Sequence, residues 1–181
     1  MKRLLIDIDG VLTAYDFKFL VKKYFGVDLS ASSIFAYDLA DVLGVSPMNI
    51  DMMFKEHVWG KPTFIEGALE TLNEWESKSY EIIIYSNRVK YMGEMGLADW
   101  LVKNKIPFRG IDANGLGSYD YHIDDSPAKL MYTISIHKLL FSQPWNASCL
   151  DITKSLKRVN SWQDIREKVG GINENVQDVC Y

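Results

Sequence analysis

Residues 4–15 read LLIDIDGVLTAY. The aliphatic start has the character of a short buried strand, yet Asp7 and Asp9 interrupt it and Gly10 ends it. A carboxylate inside apolar surroundings is costly unless something pairs with it. Alternation along a strand puts Asp7 and Asp9 on one side, and Gly10 permits a sharp exit. The stretch therefore predicts a strand that delivers two acids to a place where positive charge gathers.

Working outward, the next segment shows helical spacing. YDFKFLVKKYFG (15–26) sets Phe17, Leu20, Val21, Tyr24 and Phe25 on one face, and SSIFAYDLADVLG (32–44) repeats the pattern. SPMNIDMMFKEHVW (46–59) opens with Ser46 as helix cap and Pro47 at the first helical position. Residues 14–61 thus read as about three helices with no strand between them.

From residue 62 onward, helices alternate with strands. FIEGALETLNEWESK (64–78) is amphipathic, YEIIIYSN (80–87) is a second buried strand, and residues 89–104 form a helix with a short strand at IPFRG (106–110) after it. YDYHIDD (119–125) and HKLLFSQ (137–143) are further strands, SWQDIREKVG (161–170) is a closing helix, and the last ten residues read as a loose tail. This alternation predicts an α/β fold, a Rossmann-like parallel sheet flanked by helices. The expected organisation is a core of residues 1–13 and 62–181 with a helical cap, 14–61, inserted after the first strand.

Open parallel sheets bind ligands beyond the carboxyl ends of their strands. Three strands end there in polar groups: Asp7-Ile-Asp9, Ser86-Asn87-Arg88 and Asp124-Asp125. Carboxylates crowded at one edge repel one another unless a cation sits among them, and a hard divalent ion with oxygen ligands, most simply Mg²⁺, meets that need. Such a site suits phosphoryl transfer. The ion neutralises phosphate oxygens, an aspartate attacks phosphorus, and Ser86 before a helix start donates to phosphate together with backbone amides.

Bulk properties exclude other classes. The formal net charge is −4 with no basic block, which argues against binding nucleic-acid duplexes through their phosphates. Cys149 and Cys180 are far apart and read as reduced thiols of a cytoplasmic protein. The first residues imitate a secretory leader only until Asp7, and no apolar run reaches membrane-spanning length. His122 is expected to pack against the sheet face, while His57 and His137 have no metal-ligand spacing.

Taken together, DIDGVL (7–12), YSN (85–87) and IDD (123–125) resemble the first, second and fourth motifs of the haloacid-dehalogenase-like phosphohydrolases. EGALETLNEW (66–75), HKLLFSQPWN (137–146) and RVNSWQDIREKV (158–169) are similar to segments of the 5′(3′)-deoxyribonucleotidase branch. The resemblance implies Asp7 as nucleophile and Asp9 as general acid and base. It implies phosphate binding by Ser86 and Asn87, and Mg²⁺ held by Asp7, the Asp9 carbonyl and Asp125 with Asp124 beside it. Tyr15 and Trp59 fall where an aromatic would meet the nucleotide base. The implied activity is hydrolysis of nucleoside monophosphates through an aspartyl-phosphate, by a homodimer. A phosphatase for another small ester, such as a sugar phosphate, is the first alternative. One departure stands out: the family's lysine before the fourth motif is missing from residues 110–123. Arg109 is the favoured substitute, with Lys103, Lys105, Arg88 and Lys129 as alternatives. Without any substitute the chain would be a nucleotide-binding protein that does not catalyse.

Overall fold

The computed structural model describes residues 1–14, 17–29, 39–149 and 156–170. Among these, six strands form one parallel sheet: β1 (Arg3–Ile6), β2 (Glu81–Ile84), β3 (Gly110–Ile111), β4 (Ser118–Asp124), β5 (Ile134–Phe141) and β6 (Leu156–Val159). Their order across the sheet is β3-β2-β1-β4-β5-β6. Chain order reverses between β1 and β4, so the crevice beyond those two strands is the natural ligand site of the topology. Leu4, Leu5 and Ile6 are fully buried, as a strand covered on both faces requires.

The helices are α1 (Phe17–Phe25), α2 (Leu39–Leu43), α3 (Pro47–His57), α4 (Ala68–Ser77), α5 (Val89–Lys103), α6 (Pro127–Tyr132) and α7 (Trp162–Gly170). The main core joins the β1 and β2 residues Leu4, Ile6, Ile82 and Ile84 to Leu72 and Trp75 of α4, Leu97 and Trp100 of α5, and Trp162 of α7. Trp162 also donates its indole N–H to the Val11 carbonyl at 2.8 Å, which pins the closing helix to the turn after β1.

Helices α1, α2 and α3 all lie between β1 and β2, with no strand among their described residues. The segment touches the core at identifiable points. Asp51 of α3 pairs with Lys90 at 2.7 Å and accepts from the Tyr91 hydroxyl at 2.7 Å. Trp100 of α5 donates to the Gly60 carbonyl at 3.1 Å. No helix among the described residues is long and apolar enough to cross a membrane.

Candidate active site

Register decides which side chains meet. Ile6 is level with Ile84 on one side and Ile123 on the other, so the next residues, Asp7, Tyr85 and Asp124, emerge together at the carboxyl edge. The Asp7 N–H continues the pairing by donating to the Ile123 carbonyl at 3.0 Å. The chain then turns tightly, with the N–H groups of Leu12 and Thr13 both donating to the Ile8 carbonyl, at 2.8 and 2.9 Å. Gly10 sits in this turn at φ 83°, and a side chain there would overlap Asp125 Oδ2 and come within 3.1 Å of the Trp145 ring. Only glycine serves at that position.

Carboxylate oxygens of Asp7, Asp124 and Asp125 lie within 4.8 Å of one another, and all three residues are buried. Asp124 Oδ1 accepts from the Ser126 N–H at 2.7 Å. Ser126 then caps α6, with Pro127 at the first helical position, and that helix places Lys129 on the acids. The Lys129 ammonium lies 3.1 Å from Asp7 Oδ1 and 3.6 Å from Asp124 Oδ2, above the Tyr85 ring at 5.1 Å from its centroid. Behind the cluster, the fully buried His122 brings Nε2 to 3.3 Å from Asp124 Oδ2 and Nδ1 to 2.6 Å from the Thr133 hydroxyl.

The electrostatics show a surplus of negative charge. Burial, reinforced by Asp124 and Asp125 and opposed by Lys129, holds the Asp7 carboxyl well above the usual carboxylate range. Burial and the neighbouring Asp124 push Asp125 up to about 7. Burial disfavours the Lys129 ammonium, but the charges of Asp7 and Asp124 overcome it and raise its pKa. Asp7 Oδ1 is buried without an aligned hydrogen-bond donor, despite its closeness to Lys129. A single ammonium among three acids and an orphaned carboxylate oxygen are the features a divalent cation would satisfy, and the all-oxygen donor set suits Mg²⁺. The residues present therefore fit the ion.

No family model matches the chain, and no curated protein matches it. Solved structures do. A HAD-superfamily hydrolase from Ehrlichia chaffeensis aligns with a TM-score of 0.58 at 12% identity, over 95% of this chain and 98% of that one. CbbY from Rhodobacter sphaeroides, in complex with phosphate, gives 0.56 at 11% identity, over 91% and 96%. The D,D-heptose 1,7-bisphosphate phosphatase from B. bronchiseptica, complexed with magnesium and phosphate, gives 0.51 at 9% identity, over 94% and 99%. The chain has the fold of the haloacid-dehalogenase-like hydrolases.

Within that haloacid-dehalogenase-like frame, the expected site residues fall into three groups. Asp7, Asp124 and Asp125 converge, and the buried Ser86 lies at the same edge, just past β2, with Asn87 exposed beside it. Asp9 also stands at this edge, but its carboxylate is turned to Arg88. The guanidinium donates to Asp9 Oδ2 at 2.9 Å and to Oδ1 at 2.8 Å, and its third arm reaches the Val58 carbonyl at 2.8 Å. Arg88 is itself buried and stacked on Trp100 at 4.2 Å.

Arg109 lies away from this edge. Arg109 is exposed and bonded through its N–H to Ile82 at 2.7 Å, two residues short of the carboxyl end of β2. Trp59 is 55% exposed and rests against Gly96, two turns into α5. Tyr15 lies outside the described residues. From the sequence, Lys129 stands behind Arg109 and His122 belongs to the sheet packing, whereas the structure sets Lys129 on Asp7 and His122 behind Asp124. The Ser126-Pro127 pair repeats the Ser46-Pro47 start signal, and it would have put Lys129 in the first turn of a helix beginning beside Asp125.

Proposed function

We propose that this chain is a Mg²⁺-dependent phosphomonoesterase that forms an aspartyl-phosphate on Asp7. The convergence of Asp7, Asp124 and Asp125 around the Lys129 ammonium carries the reading. Bound among these carboxylates, Mg²⁺ would supply charge for the phosphate oxygens. Asp7 attacks phosphorus in line, and Lys129 offsets the charge carried by the transferring group. The Ser86 hydroxyl, at the entry to α5, donates to a phosphate oxygen. Asp9 provides the proton for the leaving oxygen and later takes one from water. Because both its oxygens are engaged by Arg88, that transfer requires the guanidinium to release one of them.

Residues 14–61 act as a cap in this reading. Support comes from the end of α3, where the Val58 carbonyl meets the arginine that holds Asp9. Lys129 supports a catalytic protein over a non-catalytic one, since it brings a half-buried cation to Asp7 from downstream of the fourth motif. For substrate, the reading favours nucleoside monophosphates, on the likeness of residues 66–75, 137–146 and 158–169 to the deoxyribonucleotidase branch.

Phosphate release from deoxyribonucleotides, ribonucleotides and sugar phosphates at matched concentration, with and without Mg²⁺, tests both levels. Mg²⁺-dependent release with nucleotides preferred is expected. Preference for sugar phosphates would overturn the substrate, and no release from any ester would overturn the activity.

A further inference from the structure

The loop after β5 makes three contacts with the two acidic strand ends, two of them on Asp125. Gln143 donates its amide to the Gly10 carbonyl at 2.7 Å, in the turn that follows Asp7 and Asp9. Trp145 donates its indole N–H to Asp125 Oδ2 at 2.7 Å. Asn146 donates to the Asp125 carbonyl and to the Phe141 carbonyl, both at 2.8 Å. The loop is itself anchored, because Arg158 of β6 donates to Asn146 Oδ1 at 3.0 Å and to the Cys149 carbonyl at 2.6 Å. Asn146 is buried and Trp145 half-buried, so QPWN (143–146) is a brace set against both acidic strand ends.

We propose that Trp145 is a positioning residue for Asp125: its indole N–H fixes one carboxylate oxygen and thereby presents the other to the cation. The inference rests on the metal-binding reading above. An N–H donor suits this task because it takes one oxygen and adds no charge, leaving the carboxylate's negative charge for the ion. The indole ring also packs beside Gly10, where the space left by the missing side chain admits both Asp125 Oδ2 and the Trp145 ring. Partners that orient a ligating side chain in this way typically contribute ten- to a hundredfold to metal affinity.

Isothermal titration of the full chain with MgCl₂ tests it, comparing the unaltered protein with Trp145→Phe and with a variant carrying benzothienylalanine at 145. The second replacement keeps the fused ring and loses only the N–H. Both variants should bind Mg²⁺ about 10- to 100-fold more weakly. Their metal-free melting temperature should stay near the original, and kcat at saturating Mg²⁺ should fall no more than a few-fold. A merely structural tryptophan would lower the metal-free melting temperature and leave the affinity alone, which would overturn the inference. Unchanged affinity in the benzothienylalanine variant would overturn it as well, with the metal site intact. Failure of the unaltered chain to bind Mg²⁺ would overturn the metal reading itself.

Discussion

Replacing Lys129 by methionine removes the charge and keeps most of the side-chain length. The ammonium stands 3.1 Å from Asp7 Oδ1 and 3.6 Å from Asp124 Oδ2. With an effective dielectric near 20, each contact corresponds to about 5 kcal/mol of attraction, part of which offsets the burial of the ammonium. Two consequences follow. In catalysis, loss of a preorganised charge facing Asp7, the proposed nucleophile, should cut kcat by about 10³-fold, roughly 4 kcal/mol. In folding, breaking a buried pair costs about 3–5 kcal/mol, but here the penalty depends on pH. Lys129 opposes the upward push on the Asp7 carboxyl, so its removal raises that pKa further. A carboxyl whose folded pKa is raised supports the fold fully below its unfolded value and loses that contribution as pH climbs through the folded value. Lys129→Met should therefore be destabilised more at pH 8 than at pH 5. Urea melts of the metal-free protein at both pH values, and turnover of p-nitrophenyl phosphate with saturating Mg²⁺, provide the readouts. A variant within fivefold of the original kcat, or one equally destabilised at both pH values, would refute the reasoning.

The unaltered metal-free protein should itself lose stability as pH rises from about 4 to about 7. Asp125 moves from 3.8 to about 7 on folding, a contribution of about 4 kcal/mol at the high-pH end. Saturating Mg²⁺ should recover stability there, by about 2.7 kcal/mol at a hundred times its Kd; a pH-stability profile that is flat without metal would contradict this. Gly10→Ala forces a side chain into a left-handed turn already filled by Asp125 and Trp145. It should cost about 1–3 kcal/mol for overpacking alone, and calorimetry should show weakened Mg²⁺ binding. Arg88→Met strips the buried partner from Asp9 and should destabilise the fold by about 3–5 kcal/mol in thermal melts. Arg88→Lys should recover only part of that loss, because an ammonium cannot reproduce the two parallel bonds.

The sequence disclosed the sheet's centre more fully than its margins. β1 and β2 carry unbroken aliphatic runs, and β4 ends in a pair of acids, so both their character and their terminal carboxylates were legible. β6 escaped because LKRV is four residues at a sheet edge, with Lys157 exposed; so short and mixed a stretch has no readable period. α6 escaped for a similar reason, since six residues are too few for helical periodicity. Without α6, Lys129 stands behind Arg109: the Ser126-Pro127 start signal alone indicates that a residue four positions past Asp125 turns back toward Asp7. The pairing of Asp9 with Arg88 was equally hidden, because it depends on the start of α5 crossing the turn after β1. Gly10 was legible as a chain reversal, while its closeness to Asp125 and Trp145 depends on strands far apart in sequence.

Trapping the acyl phosphate shows whether Asp7 receives the phosphoryl group. The protein is mixed with p-nitrophenyl phosphate and Mg²⁺, quenched in acid, reduced with borohydride and sequenced by mass spectrometry. Reduction of an aspartyl-phosphate leaves homoserine in place of the aspartate. Homoserine at position 7 alone, and none from Asp7→Asn, is the predicted result. Modification at another residue, or phosphate release with no trapped intermediate and an active Asp7→Asn protein, would contradict it.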